Sequence, residues 1–527
     1  MKKYISLFLL ATAAIFISCV DDKGSYNLSP INEMEVTISN EDGYVAYIMG
    51  DPVLISADVK GTMAEENDPD RYAYHWYVKI ITDIISQASR VIDLSTEREF
   101  SYTAGDDLIP GSYTLYLEVE DKETGLKTIQ QTTLSIASQT TTGFLVMGET
   151  SDGSVKMDMI ATMAKDTVLM QDVFTDPNIK APEMLLFTGS LTADQNLWLT
   201  TATQSYSLTS GSYFNLLEDN NIEDKMLTNF EVQRPMRVLD MYPHQDASYG
   251  GRSGSTRGFI TEDAVFQVNT MAGGGMMFGN PINRYDALST ELFKPYPLAF
   301  VMSGRLSAIS CYVILYDMDN QVFVAPNSAS STPTICNKLQ GGTVFKWDQK
   351  TYPDNRRLVF AQNGNAQYTY VLLTDDQNKW YVYAFKPSSI TSPSQWLNVE
   401  IDQSVATDFA KASYYAFSDE ETEMVYSVGS KLYGYDLERN ICRLLKDYGE
   451  EIIYLSRDVE STTVRNRFYI ATSSGDGTST LSWFAILPDP NDIPFEENED
   501  MVWEINSIIK AVVWKNAGDL EDEAGYY

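Results

Sequence analysis

Polar and apolar residues alternate with a period of two over much of the chain, while long stretches of helical period are rare. Turn signals recur about every ten residues, and together these features predict an all-β protein. Between Ile31 and Ser138 the alternation is plain in Val53-Leu54-Ile55-Ser56-Ala57-Asp58-Val59 and again in Tyr72-Ala73-Tyr74-His75-Trp76-Tyr77-Val78. In Gly111–Asp121, Leu115, Leu117 and Val119 fall on one face and Thr114, Tyr116 and Glu118 on the other. Residues 31–138 therefore read as one β-sandwich, with His75 pointing outward beside a core Trp76.

From Thr142 the texture changes. An apolar run, a polar turn and an aromatic-rich return recur at Phe144, Trp198, Phe259, Tyr312, Tyr370, Met424 and Phe468. Two examples are Tyr312–Tyr316 with its return Val322–Val324, and Tyr370–Leu373 with its return Trp380–Tyr383. The units follow at intervals of roughly 45 to 60 residues, enough for four strands each, as in the blades of a β-propeller. Residues 142–527 are expected to form such a propeller, most simply of seven blades. The units share shape and almost no sequence, so six or eight blades also fit. The run Ile508–Trp514 is placed to close the ring beside the strand at Phe144. Gln139–Thr142 reads as the linker, and the acidic tail Gly518–Tyr527 as a loose end.

The amino terminus has a different character. Lys2 and Lys3 precede an apolar run from Tyr4 to Ile17, about 14 residues, the length of a signal h-region and short for a membrane span. Phe16-Ile17-Ser18-Cys19 resembles a bacterial lipobox, with Phe16 where leucine is usual. That resemblance implies a signal peptide over residues 1–18, cleavage before Cys19 and acylation of its thiol by diacylglycerol and palmitate-type chains. Residues 19–30 then form a polar tether, whose stretch after Cys19 reaches at most ~35 Å. Asp21 and Asp22 resemble the surface-export signal of Bacteroidota lipoproteins, which implies an outer-membrane anchor with the body facing the cell exterior.

Charge narrows the partners. The formal net charge is −35, a surface that repels phosphate backbones, so no nucleic acid is expected. Tyr296–Tyr316, the best further candidate for a membrane span, is broken by Arg305. Cys311, Cys336 and Cys442 are odd in number, so one thiol at least stays free; a Cys311–Cys336 bridge is compatible with the sequence, which sets no geometry. The two histidines are far apart, and no His-Glu-x-x-His, Cys-x-x-Cys or Gly-x-Ser-x-Gly pattern is present. No metal site, cofactor or catalytic residue is expected. Gly273–Gly279 lacks the Lys-Ser/Thr of a phosphate loop. Asp317-Met318-Asp319-Asn320 reads as a hairpin turn in preference to a calcium loop. Scattered carboxylates keep a hydrolase open, because geometry alone would select a pair.

Binding chemistry concentrates in two stretches, Tyr242–Arg252 and Met271–Tyr285, which leave the open ends of the hairpin at Phe259 and are expected at one edge. They bring Tyr242, His244, Tyr249, Arg252, Arg284 and Tyr285, rings that stack on sugars or apolar side chains and guanidinium groups that grip carboxylates. Trp76 and Tyr113 fit the core tryptophan and the corner tyrosine of Ig-like sandwiches. With the Ile31-Asn32-Glu33 entry and Gly111–Asp121, the stretch resembles the PKD-like modules of Bacteroidota lipoproteins, without the Asp-Gly-rich loop of the best-known members. In layout the chain resembles PKD-like family surface lipoproteins. That resemblance implies an auxiliary subunit of a nutrient-uptake locus, partnered by a SusC-type transporter and a SusD-type lipoprotein, that binds oligopeptide or glycan. The alternatives are a cell-surface hydrolase and a purely structural subunit of the importer.

Overall fold

The computed structural model describes residues 31–515 apart from residues 40–42, 49, 64, 84–87, 106, 109–110, 139, 141, 163–166, 189–195, 210–212, 218–221, 243–255, 270–276, 302–311, 328–333, 365–367, 419–421, 458–466 and 488. Cys19, its tether and the acidic tail lie outside the described residues. The described chain is all-β, with many sheets and no α-helix among the described residues. It divides into two compact units, Met1–Ala137 and Ser138–Tyr527.

Unit 1 holds β1 (Met34–Ile38), β2 (Tyr44–Ile48), β3 (Val53–Gly61), β4 (Tyr72–Asp83), β5 (Ala88–Ser95), β6 (Glu99–Tyr102), β7 (Gly111–Asp121) and β8 (Lys127–Ser138). They form two sheets, β1-β3-β6 and β2-β8-β7-β4-β5. One face of each strand meets a shared core: in β7, Leu115, Leu117 and Val119 are fully buried while the residues between them are not. Trp76 fills that core against Phe100, ring centroids 4.9 Å apart, and its indole N–H donates to the Glu97 carbonyl at 2.9 Å. Tyr113 packs partly buried against the same core. His75 is at the surface, 2.8 Å from the Asp93 carboxylate.

Buried Asn32 explains the entry segment. Its Nδ2 donates to Asp121 Oδ2 at 2.9 Å and its Oδ1 accepts from Met63 N at 2.9 Å. Arg71 bonds the same Asp121 oxygen through Nε and Nη2. Burial by itself would raise the Asp121 carboxyl; the bonds from Arg71 and Asn32 override it and hold the group well below the usual carboxylate range.

Unit 2 begins with β9 (Gly143–Glu149), β10 (Ser154–Ala161) and β11 (Val168–Lys180). Then come β12 (Pro182–Thr188), β13 (Asn196–Thr201) and β14 (Ser205–Leu208), followed by β15 (Asp240–Tyr242), β16 (Thr256–Ile260) and β17 (Val265–Asn269). The fourth group is β18 (Phe300–Val301), β19 (Val313–Asp317), β20 (Val322–Pro326) and β21 (Cys336–Lys338). The fifth is β22 (Arg357–Asn363), β23 (Thr369–Thr374), β24 (Trp380–Lys386) and β25 (Ser394–Glu400). The sixth is β26 (Tyr414–Phe417), β27 (Glu423–Val428), β28 (Lys431–Asp436) and β29 (Ile441–Asp447). The seventh is β30 (Glu451–Arg457), β31 (Arg467–Ser473), β32 (Ser479–Ile486) and β33 (Phe495–Ile505), and β34 (Ile508–Lys515) ends the series. Each group is one antiparallel sheet, and β34 crosses back to join the first, in the order β11-β10-β9-β34. Trp514 pairs with Phe144 there, the position expected for the carboxy-terminal run.

The sheets are held face to face by apolar clusters, one between each successive pair. Leu145, Met157, Leu185 and Leu197 join the first sheet to the second, and Trp198, Val238 and Phe259 the second to the third. Tyr242, Ile260, Val313 and Leu315 join the third to the fourth, and Tyr316, Phe323, Val371 and Tyr383 the fourth to the fifth. Tyr370, Leu372, Phe417 and Tyr426 join the fifth to the sixth, and Val425, Leu432, Phe468 and Ile470 the sixth to the seventh. Tyr469, Trp483, Phe144 and Trp514 return from the seventh to the first. A strand with a neighbouring sheet on each side buries both faces, so β10, β19 and β20 are buried throughout, whereas outlying β25 and β29 are mostly open.

The turns are pinned by short side chains without a shared motif. Asp375 Oδ1 accepts from Gln377 N and Lys379 N, both at 2.8 Å, and its Oδ2 from the Tyr381 hydroxyl at 2.9 Å. Asp317 closes its turn by accepting from Asn320 N at 2.8 Å, which makes Asp317–Asn320 a hairpin turn.

Candidate functional site

Of the six residues singled out for binding, the structure describes three, Tyr242, Arg284 and Tyr285. Tyr242 ends β15 in the core, 2% exposed, its ring seated over Gly258, where a Cβ would lie 2.1 Å from the hydroxyl. That ring is packing, not a loop platform. His244, Tyr249 and Arg252 lie outside the described residues. The hairpin β16–β17 pairs Thr256 with Asn269, so the two stretches do leave from one end. The chain then returns along β17: Ile282 N donates to Val265 O at 2.8 Å, beside the tight turn. Arg284 and Tyr285 therefore sit at the end opposite the one expected.

There both serve the structure. Arg284 is buried, its Nη1 donates to the carbonyls of Ala287 and Ser289 at 3.1 Å each, and its guanidinium lies 4.9 Å from the Phe230 ring centre. The Tyr285 hydroxyl donates to Asp317 Oδ2 at 2.5 Å, and burial, then that bond, push its pKa far up. Cys336, just across this contact, is a buried free thiol; burial raises its pKa well above the ordinary range, so it stays protonated and packs as a small apolar group. Cys311 lies outside the described residues.

Unit 2 holds a cavity of about 770 Å³ walled mainly by β12, β15, the segment entering β18, β22, β26, β30 and β34, with Tyr469 from β31. These strands touch in sequence, β34 to β12 to β15, and β18 to β22 to β26 to β30 to β34. Between β15 and β18, Asp240 Oδ2 accepts from Ala299 N at 2.6 Å. Each of these seven strands is terminal in its sheet. The partly exposed lining is mainly aliphatic and aromatic, from Met184, Leu186, Met241, Leu298, Phe360 and Val513.

Polar groups of the wall are tied into it. Asn363 Nδ2 donates to Ala299 O at 2.8 Å, and Gln362 exchanges two bonds with the Phe417 main chain at 2.9 and 3.0 Å. Arg457, at the end of β30, reaches past the sixth sheet to donate from Nη2 to Asn363 O at 2.9 Å. Lys510 pairs with Glu149 at 2.9 Å. Burial raises the pKa of the Tyr414 hydroxyl, and the charges of Glu451 and Lys510 act on it too. Among the described residues no group of three His, Cys, Asp or Glu side chains could hold a metal ion. The arrangement suits non-covalent binding: a recess of small-molecule size, largely apolar, with partly exposed Gln362, Tyr414, Ser456 and Lys510 among its polar groups. Sequence reasoning missed it because each sheet gives only a few residues, spaced by whole sheets along the chain.

The PKD-like family model matches residues 19–181, from Cys19 through unit 1 and the strands β9–β11. No curated protein matches the chain. Among solved structures, a quinonprotein alcohol dehydrogenase-like protein from Bacteroides thetaiotaomicron is similar at 12% identity and a TM-score of 0.37, over 90% of this chain and 97% of that one. A DUF4784 family protein from Bacteroides caccae has 10% identity and a TM-score of 0.27, over 91% and 98%. The extracellular domain of a one-component system from B. thetaiotaomicron has 9% identity and a TM-score of 0.35, over 90% and 69%. No helix among the described residues is long and apolar enough to cross a membrane.

Proposed function

We propose that the chain is a lipoprotein anchored through Cys19 in the outer membrane, facing the cell exterior, with a PKD-like sandwich followed by a seven-bladed β-propeller. Its work is to capture or present oligomeric nutrient, peptide or glycan, as an auxiliary subunit of a SusC/SusD-type importer. The observation that best supports this reading is the cavity of about 770 Å³ surrounded by the terminal strands of seven sheets. Such a recess offers a binding site on a rigid scaffold. The lipobox-like end of the signal and the PKD-like match that starts at Cys19 support the anchor and the family context. With a tether of about ten residues the body stays close to its membrane, so a captured ligand is useful only where a transporter stands beside it.

Extraction in mild detergent from the native membrane tests the assignment. The expected outcome is co-purification with a SusC/SusD-type pair, together with release of the Cys19→Ala protein from the outer membrane. Recovery of the chain alone across several gentle detergents, or fatty-acid labelling of Cys19→Ala, overturns it. Turnover of a glycan or peptide by the pure protein would favour the hydrolase.

A further inference from the structure

We infer that the hub of Asn32, Asp121 and Arg71 is a mechanical clamp, which passes a pull on the amino-terminal tether straight into the five-stranded sheet of unit 1 and spares the edge strand β1. The inference rests on the anchoring reading, since a chain held at Cys19 is loaded whenever something bound to unit 2 is pulled.

The places where the chain enters and leaves unit 1 set the direction of the load. It enters at Asn32, bonded to Asp121 at the end of β7. It leaves along β8, whose last residues lie beside the start of β7, where Gly111 pairs with Ile136. β7 runs from Gly111 to Asp121. Entry and exit therefore stand at its opposite ends, roughly 34 Å apart along the strand. A pull between them is directed along the strands and loads their contacts in shear.

Two routes lead from the entry to the exit. One runs through β1, the edge of its sheet, which holds β3 by five residue pairs from Met34↔Gly61 to Ile38↔Ala57. Bonds between Glu33 and Thr62 extend that ladder. The other route is the hub, which lies ahead of β1 in the chain and meets the pull first. Asn32 is fully buried. Its Nδ2 donates to Asp121 Oδ2 at 2.9 Å and to the Tyr72 hydroxyl at 3.3 Å, and its Oδ1 accepts from Met63 N at 2.9 Å. Asp121 and Tyr72 belong to β7 and β4, neighbours in the five-stranded sheet, and β7 is the strand paired with β8. Arg71 holds the same carboxylate oxygen through Nε and Nη2, at 3.2 and 2.9 Å, so the acceptor stays in place as Asn32 is drawn outward. A bond to a buried carboxylate is stronger than one between neutral groups, and the dry interior strengthens it further. The fit has no slack: a Cβ on Gly61 would lie 2.4 Å from Asn32 Oδ1 and 2.3 Å from the Tyr72 hydroxyl.

The test is force spectroscopy on the full mature chain with Cys19→Ala, held by handles at its two termini. Unit 1 is recognised by its length gain on unfolding, roughly 340 Å. The parent chain is expected to lose unit 1 in one step. Asn32→Ser keeps a hydroxyl but cannot reach both Asp121 and Met63. It is expected to shed β1 first, as a separate short gain, and to unfold under load ~10-fold faster than the parent, over and above any acceleration measured without load in urea. A hub that only stabilises the fold speeds unfolding by the same factor in both measurements. That equality, a parent chain that itself sheds β1 first, or a variant that still opens in one step overturns the inference. Should Asn32→Ser fail to fold, Arg71→Lys replaces it, keeping the charge and dropping the paired bonds to Asp121; the expected excess under load is then about threefold. No lipid enters the measurement, so the two failures separate. Fatty-acid labelling of Cys19→Ala removes the anchor and leaves the clamp; equal acceleration with and without load removes the clamp and leaves the anchor.

Discussion

The two units solve the same problem, burying β-strands, in opposite ways. In unit 1 two sheets share one core, so each strand keeps an inner and an outer face; β3 and β7 alternate accordingly. In unit 2 each sheet is covered from both sides, and its middle strands lose the alternation altogether. Unit 1 then fastens its entry with a buried polar hub, Asn32, Asp121 and Arg71. Unit 2 fastens its ends by strand pairing, β34 against β9, backed by Phe144, Trp483 and Trp514. The first unit is secured at one point, whereas the first sheet of unit 2 is complete only when β9 and β34 meet.

That contrast can be broken most forcefully at Gly148. A Cβ there would lie 2.1 Å from Ser507 Oγ and 3.1 Å from the Ile508 carbonyl, inside the β9–β34 seam. Gly148→Val is expected to cost unit 2 about 3 kcal/mol and to leave unit 1 alone. Scanning calorimetry should show one transition moved and one fixed; two transitions moving together would deny that the units are separate.

Next in size is a difference in pH response. Lys515, buried at the end of β34, donates to Thr140 O at 2.7 Å, and burial pushes its ammonium down to about 7. The unfolded chain keeps the ordinary value near 10.4, so between about pH 7 and 10 it binds the proton that the folded chain has lost, and stability rises with pH. Lys515→Met should flatten this rise in urea unfolding curves followed at successive pH values. A rise of unit 2 stability that survives the substitution would show that other groups cause it.

The third and smallest test concerns unit 1. Asp121 is depressed in the folded state, so its contribution is present above the unfolded value near 3.9 and is lost as pH falls through the lower folded value. Asp121→Asn should weaken unit 1 near neutral pH and blunt its loss in acid, with unit 2 unchanged. Acid unfolding identical to the parent chain would mean that the hub contributes nothing.

Local pattern carried much of the fold. Alternation through Leu115, Leu117 and Val119 marks a half-buried strand, and apolar runs such as Val313–Asp317 mark strands covered on both faces. Ile508–Trp514 could be set beside Phe144 because an unpaired apolar run at the chain's end needs a partner at the other. Contacts between distant polar residues left no trace: nothing periodic ties Asn32 to Asp121. Two of the described binding candidates have structural partners that were hidden for a related reason. Composition marked Arg284 and Tyr285 as grips for a ligand, but the return of the chain along β17 brought them to Ser289 and Asp317. The cavity was the least legible feature, since its wall is a property of seven strands in register and not of any one segment.

Pairing of β34 with β9 also sets a timetable. Gly143–Glu149 is made long before its partner Ile508–Lys515. Contacts of such long sequence separation form slowly, because the intervening loop must close before they reward it. Unit 1 holds all its strand partners within its own length and can complete itself while the chain is still growing. The first sheet cannot: β9 keeps one edge open until β34 arrives, a sticky edge that invites pairing with other chains. A chain cut before β34 would therefore carry a finished unit 1 and a first sheet of unit 2 that lacks its fourth strand.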